Sequence, residues 1–210
     1  MDLSFTKASS LAIIDRKIGG IAADITPAQY EIIRQVIYAT ADLNYQSLLK
    51  FSESALTQGA AALTAMTPII VDVPEIQVSI VPKLQKTFGN PVYCCATINA
   101  EIKGRTTRAA RGLEILGSKY PHSIFIIGQD QTALSSMIAL LRNKVIEPSL
   151  AIATPPTFLE SSKKQRLIES SVPYICLNTD KGGANIASAI FNSLIGLTWQ
   201  TYPQDQAEQK

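Results

Sequence analysis

One helix-like segment carries a phenol and a guanidinium at a spacing that could support acid–base chemistry. Arg34 and Tyr38 are four residues apart, so on a helix their side chains share one face. A nearby cation stabilises a phenolate, so Arg34 could make the Tyr38 hydroxyl a better proton donor if the two groups meet. The alternative is a packing role for Tyr38, at the edge of an apolar face formed by Ile33, Val36 and Ile37.

A glycine pair precedes the last helix-like segment and could hold an anion. Gly182 and Gly183 would let main-chain N–H groups approach a ligand, and the amino end of a helix favours negative charge. A plain turn into a helix is the alternative. The segment 128–132 has the same form, and its alternative is a turn in which Asp130 caps the next helix.

Basic residues concentrate where another helix is expected to begin. Lys103, Arg105, Arg108 and Arg111 lie close together, and the last two are three apart and share a helix face. They could form a clamp for carboxylates, because arginine binds carboxylates through two parallel hydrogen bonds. A solvated helix face is the simpler interpretation.

Several other chemistries lack their motifs in this chain. The sequence contains no G-x-G-x-x-G after a strand, no P-loop and no G-x-S-x-G elbow. Its single histidine, His122, leaves no material for a histidine triad or a histidine metal cluster, and we expect no bound metal. Because His122 precedes a predicted strand, we expect it in a surface turn at the edge opposite the ligand site.

The elements that position these residues predict a doubly wound α/β fold with a mainly parallel five-stranded sheet and flanking helices. Five short apolar runs without polar alternation are typical of strands buried on both faces; they are 68–73, 92–96, 123–127, 150–153 and 173–177. Helical periodicity separates them at 105–118, 130–144, 157–170 and 183–196. Two prolines make the helix between the first two strands less certain. Two N-terminal helices are predicted, from Thr26 to about Leu49 and from near Ser52 to Ala65, after a short strand at 11–14.

Ligands of open parallel sheets bind at the carboxyl ends of the strands. The loops expected there are 72–75, 97–99, 128–132, 154–157 and 178–183, all rich in small, polar or turn residues. The sequence therefore predicts one ligand site along this edge of the sheet.

Length and composition favour a single domain spanning 1–210, with a polar tail from about residue 200. Of the 210 residues, 46% are apolar and 17% charged, which is enough to bury a core. The net charge of +2 gives no overall attraction to nucleic acid, and no apolar stretch is long enough for a membrane span. Cys94, Cys95 and Cys176 lack metal or disulfide spacing, and we interpret them as reduced core residues of a cytoplasmic protein.

Over residues 10–196 the chain resembles the precorrin-8X methylmutase family of cobalamin biosynthesis. No single motif carries the resemblance, which depends on the order and spacing of segments along the whole chain. These are the serine-led segment 10–14, the helix of Tyr38, the segments 67–72, 107–108, 127–134 and 154–158, and the glycine turn with its helix to 194. At the position of Tyr38 the family has a histidine, its proposed proton donor.

The resemblance implies a homodimeric isomerase that needs no cofactor and moves a methyl group from C11 to C12 of ring C of a corrin precursor. The implied mechanism is a sigmatropic shift promoted by protonation of a ring nitrogen. Tyrosine is a weaker acid than histidine by about 3.5 pKa units, a handicap of at most about 5 kcal/mol. The residues that we expect at the site are Tyr38 as donor and, near the corrinoid tetrapyrrole, Ser10, Arg34, Thr107, Arg108, Gln129, Thr132, Gly182 and Gly183.

Two alternatives remain open from the sequence. The chain could be a tetrapyrrole-binding homologue that keeps the pocket and has lost the catalytic acid. It could also be a general α/β enzyme for nucleotides or sugar phosphates, which would neither bind nor convert corrinoids.

Overall fold

The structure is a computed structural model that describes residues 5–20, 24–102, 104, 106–157, 162–177 and 179–203, apart from the side chains of residues 162 and 163. Lys103 and Arg105 of the predicted basic cluster lie outside these residues. Residue 178 of the predicted ligand loops, residues 158–161 of one predicted helix and residues 204–210 of the predicted tail lie outside them as well.

Six strands form one sheet in the order β1-β6-β5-β4-β2-β3. The strands are β1 (Leu49–Phe51), β2 (Ile69–Val71), β3 (Val92–Cys94), β4 (Ile124–Ile127), β5 (Leu150–Ala153) and β6 (Tyr174–Leu177). Strands β2 to β6 pair in parallel, as predicted from the five apolar runs. The prediction of five strands was one short, because β1 adds an antiparallel edge to β6.

Nine α-helices flank the sheet or precede it in the described residues. They are α1 (Phe5–Ile18), α2 (Pro27–Thr40), α3 (Tyr45–Leu48), α4 (Ala55–Thr64), α5 (Pro74–Leu84), α6 (Arg108–Lys119), α7 (Gln131–Arg142), α8 (Ser162–Ile168) and α9 (Ala184–Thr201). None of them combines the length and the apolar character that crossing a bilayer requires. The helix between β2 and β3, which the two prolines made less certain from the sequence, is present as α5.

The predicted helix from Thr26 to Leu49 begins correctly and ends too late. Thr26 and Gln29 form the predicted capping box, with the Gln29 N–H donating to Thr26 and the Thr26 N–H donating to the Gln29 side chain. The helix ends at Thr40 because Ala41 adopts a left-handed conformation with φ 55°. The chain then reverses through α3 into β1, so two predicted N-terminal helices become four before β2.

The predicted strand at 11–14 is wrong, because this segment belongs to α1. Leu11 is buried, and Ile14 and Ile18 pack against the core. Their spacing of three and four residues is helical, and the run of adjacent apolar residues in the sequence obscured it.

Two cores lie on the two faces of the sheet. In β4, Ile124 and Ile126 join the core under α2, α4, α5 and α9, and Phe125 and Ile127 join the core under α6, α7 and α8. Burial of each such side chain stabilises the fold by about 1.5–3 kcal/mol. The two cores hold the carboxyl ends of the parallel strands at one edge, beside the amino ends of the following helices.

Candidate functional site

A groove runs along α9, bordered by α2 and α5. One part is a cavity of about 500 Å³ with Tyr38 on its wall, and another, of about 670 Å³, lies at the amino end of α9. Ala39, Ala189 and Asn192 line both cavities, so the two parts form one groove. We call them the Tyr38 half and the glycine half of the α9 groove. The glycine half lies at the carboxyl edge of the sheet, where the sequence predicts the ligand.

Tyr38 stands at the edge of the buried face of α2, as predicted. Ile33, Val36 and Ile37 are buried, whereas Tyr38 is 41% exposed. The Lys7 ammonium on α1 lies 5.3 Å from the centroid of the phenol ring, within the range of a cation–π contact. The phenol is therefore packed along one side and accessible from the groove.

Arg34 also lines the Tyr38 half, but its guanidinium is directed to carboxylates. Nη1 lies 3.0 Å from Asp15 Oδ2 on α1, and Nη2 forms an ion pair with Glu31 on α2. Burial acts to lower the pKa of Arg34, but Glu31 and Asp15 outweigh it, so the pKa is raised. Arg34 thereby joins α1 to α2, and its effect on the Tyr38 phenol stays a prediction.

The glycine half is built around a turn that only glycine fits. A Cβ on Gly182 would lie 2.1 Å from the carbonyl oxygen of Thr154, and Gly183 has φ 145°. The Gly183 N–H donates to the Thr154 carbonyl at 2.8 Å, and the Thr154 hydroxyl donates to the Gly183 carbonyl at 3.1 Å. The turn leaves the N–H groups of Ala184 and Asn185, at the start of α9, without acceptors in the helix.

The loop after β4 has its amide donors occupied by the protein itself. The buried Asp72 carboxylate, at the end of β2, accepts hydrogen bonds from the N–H groups of Gly128 at 3.1 Å and of Gln129 and Asp130 at 2.7 Å. Burial raises the pKa of Asp72, and the three amides oppose this effect. Asp130 caps α7 through the Ala133 N–H, so the helix-cap interpretation of this loop fits better than the anion site. The Gln129 side chain still lines the glycine half.

Four of the predicted contact residues do not line the described groove; they are Ser10, Thr107, Arg108 and Thr132. The Ser10 hydroxyl donates to the Thr6 carbonyl within α1. Thr107 caps α6, which places Arg108 at the first position of that helix, and Thr132 lies in the first turn of α7. Helices α6 and α7 begin at the carboxyl edge on the face of the sheet opposite α9. The binding roles of these four residues stay predictions.

The sequence interpretation missed Lys83 and Asn192, which both line the Tyr38 half. On a helix, Lys83 lies beside Ile80 and Leu84, which are both buried. This position next to the apolar face could have identified Lys83 as a residue that lines a cavity. Pro82, inside α5, concealed it by making the helix itself uncertain.

A larger cavity, of about 860 Å³, opens between α7 and α8 at the opposite edge of the sheet. Arg142, Lys144 and Arg166 line it together with Ile146 and Val172, residues that precede β5 and β6. Because ligands of parallel sheets bind at the carboxyl edge, we place the candidate site in the α9 groove instead.

The α9 groove can bind an acidic ligand and present a phenol to it. In the described part of the chain, no group of three or more His, Cys, Asp or Glu side chains is arranged to hold a metal ion. The three cysteines, Cys94, Cys95 and Cys176, are buried and form no disulfide. His122 is exposed before β4. The amides and the phenol of the groove can form hydrogen bonds with a ligand, and the phenol can donate a proton to it.

Comparison with known proteins gives a consistent result. The family model described as Precorrin-8X methylmutase matches residues 6–197. A cobalt-precorrin-8 methylmutase of Leptospira interrogans is 30% identical over 90% of this chain and 91% of its own, and that of Methanocaldococcus jannaschii is 33% identical over 89% and 90%. The crystal structure of the precorrin-8X methylmutase from Thermus thermophilus superimposes with a TM-score of 0.83 at 29% identity, covering 92% of this chain and 96% of that one. The sequence match over nearly the whole chain and the shared fold lead to one assignment: the chain belongs to the precorrin-8X methylmutase family.

Proposed function

We propose that this protein is a precorrin-8X methylmutase, an isomerase that moves a methyl group from C11 to C12 of ring C of precorrin-8X or cobalt-precorrin-8. The products are hydrogenobyrinate and cobyrinate. The observation that carries the proposal is the phenol of Tyr38 on the wall of a groove that begins at the carboxyl edge of the sheet, in a protein with this family's fold.

The two halves of the groove suit the two chemical parts of such a ligand. The macrocycle is flat and apolar, and its acetate and propionate side chains are acidic. The N–H groups of Ala184 and Asn185 at the start of α9 can receive carboxylates. Ala189 and Leu197 of α9 offer apolar surface to the ring.

Tyr38 acts in this proposal as the acid. Its O–H donates to a ring nitrogen as that nitrogen becomes basic, which favours breaking the C11–methyl bond and forming the C12–methyl bond. The proton returns to Tyr38 when the shift is complete, so the reaction is a net isomerisation.

We further propose that the protein is a homodimer in the cytoplasm and that the reaction needs no cofactor. The dimer is implied by the family resemblance. The cytoplasmic location is supported by three cysteines that are buried and unbonded.

The test is to mix the purified protein with precorrin-8X and record the visible spectrum over time. We expect conversion by the wild type, and turnover lower by about 100-fold or more in Tyr38→Phe. Tyr120→Phe removes a phenol outside the groove and should leave the rate unchanged. Equal rates in wild type and Tyr38→Phe would remove Tyr38 from the chemistry. Tight product binding without conversion would instead indicate the non-catalytic binding protein.

A further inference from the structure

Lys83, near the end of α5, places its ammonium in the Tyr38 half of the groove. Nζ donates a hydrogen bond of 2.5 Å to the main-chain carbonyl of Asn192 on α9. Gly196, one turn further along α9, leaves room for it, since a Cβ there would lie 2.8 Å from Nζ. The ammonium is thus held against the floor of the groove by α9.

Lys83 forms no ion pair with any carboxylate in the part of the chain that the structure describes. The charged groups facing it are Lys7 from α1 and Glu31 and Arg34 from α2, which line the same cavity. Glu31 is engaged by Arg34. Among the described residues, no carboxylate lies within ion-pair distance of Lys83 Nζ. Burial lowers the pKa of Lys83, Lys7 acts in the same direction, and Glu31 opposes them.

Within the described residues, the partner of the partly buried Lys83 ammonium is a neutral carbonyl, which replaces its lost hydration less well than an ion pair would. An anionic ligand group would supply the missing partner. Arg34 offers less to such a group because it already has two carboxylates. Lys83 therefore gains more than Arg34 from an arriving carboxylate.

We propose that Lys83 binds a carboxylate of the ligand and so fixes the orientation of the macrocycle relative to Tyr38. The identity of the ligand, a tetrapyrrole with acetate and propionate side chains, rests on the proposed function. In this half of the groove, the Tyr38 phenol then contacts the ring, and the Lys83 ammonium binds a carboxylate at the rim of the ring.

Proton uptake gives this inference a signature that a merely structural lysine would not give. A bound carboxylate favours the charged ammonium and raises its lowered pKa. At alkaline pH part of the free protein carries neutral Lys83, so product binding should draw a proton from solution. Calorimetry in two buffers of different ionisation enthalpy measures that uptake.

The experiment is a titration of wild type, Lys83→Met and Lys86→Met with hydrogenobyrinate, followed by visible absorption and by calorimetry. We expect Lys83→Met to raise Kd by about tenfold or more and to abolish the uptake. Lys86→Met, which removes an exposed lysine just beyond α5, should bind as the wild type does. Turnover at limiting precorrin-8X should fall in Lys83→Met by at least the factor lost in affinity, because the macrocycle is no longer held in place relative to Tyr38.

A second variant keeps the lysine and moves its ammonium. Gly196→Ala places a methyl carbon 2.8 Å from Nζ, which is too close, so the ammonium must shift and binding should weaken in the same direction. Melting curves verify folding, and Lys83→Met should fold because it removes a desolvated charge.

The possible failures are distinguishable. Unchanged Kd and uptake in Lys83→Met, with a wild type that converts precorrin-8X, would overturn the role of Lys83 and leave the function standing. Lost turnover with unchanged Kd would also overturn it, by making Lys83 part of the chemistry. A wild type that neither binds nor converts the corrinoid would overturn both.

Discussion

The ammonium of Lys181 lies 2.5 Å from the carboxylate of Asp42, and this ion pair joins the loop before α9 to the end of α2. Asp42 follows Ala39, and Lys181 precedes Gly182, so the pair borders the glycine half of the groove. The hydrogen bond that Lys181 donates to Asp42 lowers the pKa of Asp42, and the same hydrogen bond raises the pKa of Lys181.

We expect this pair to influence ligand affinity rather than folding. Asp42→Asn and Lys181→Met should each raise the Kd for product by about two- to fivefold, because either change frees the glycine turn from α2. A double-mutant cycle on Kd checks the coupling, since the double variant should be no worse than either single variant. Additive effects would show that the two residues act separately. Because the Asp42 pKa is lowered, the ion pair is fully formed above the ordinary Asp value of 3.8 and is lost as pH falls through the lowered pKa, and its effect on Kd should be lost with it.

Asp72→Asn should destabilise the protein strongly. The amide NH₂ that replaces one carboxylate oxygen would face N–H groups of the loop 128–130, leaving donors opposite donors in a buried site. We expect a loss of about 3 kcal/mol or more in the free energy of unfolding, measured by urea denaturation. Glu53→Gln, at an exposed position, should change it by less than about 0.5 kcal/mol. Similar losses in the two variants would contradict the role assigned to Asp72.

Gly182→Ala should displace the start of α9. Its methyl group would overlap the main chain at Thr154, which cannot move without shifting β5. Gly104→Ala is the matched control, because Gly104 has φ 68° but open space around its Cα, so only backbone strain of about 1 kcal/mol is expected. Melting temperatures and product affinity should both fall much further for Gly182→Ala. Equal effects would mean that the close contact with Thr154 is unimportant.

Lys164 should make folding stability depend on pH. It is 1% exposed on α8, and Nζ donates to the Thr179 carbonyl at 2.8 Å. Burial lowers its pKa from 10.5 to about 8. The folded state then binds fewer protons than the unfolded state between these values, so the penalty is full below about pH 8 and is relieved as pH rises towards 10.5.

The lowering of the Lys164 pKa corresponds to a penalty of about 3 kcal/mol in the free energy of unfolding. The stability of wild type relative to Lys164→Met should therefore increase between pH 8 and pH 10, as measured by urea denaturation at each pH. An exposed-lysine variant, Lys86→Met, should show no such trend. A constant difference between wild type and Lys164→Met would sink this prediction.

The sequence predicted the parallel part of the fold well because buried strands leave a local signal. The five apolar runs became β2 to β6, and the Thr26 and Gln29 box set the start of α2. The predictions that failed concerned elements that depend on contacts between residues distant in sequence or on an unusual backbone conformation. β1 is three residues long and is defined by its pairing with β6, which no local pattern reveals. The end of α2 depends on a left-handed alanine, a conformation that alanine seldom adopts.

The residues of the site divide in the same way, into those that local sequence predicts and those that depend on tertiary contacts. Gly182, Gly183 and Gln129 were predicted from the loops that follow the strands, and all three line the glycine half of the groove. Their roles in binding stay predictions. The packing of α5 against α9, which brings Lys83 into the groove, is a tertiary contact. The engagement of Arg34 by Asp15 likewise depends on α1, of which the sequence analysis predicted only a short strand at 11–14.

The Asp72 carboxylate also has a consequence for selectivity among ions. Amide-lined loops before helices attract inorganic phosphate and sulfate, which are plentiful competitors of an acidic metabolite. With the three amides of the loop 128–130 already bound to Asp72, such ions can contest the start of α9 but not its neighbour. A ligand that combines several carboxylates with a broad apolar ring gains contacts along the groove that a small ion cannot make, and so displaces it.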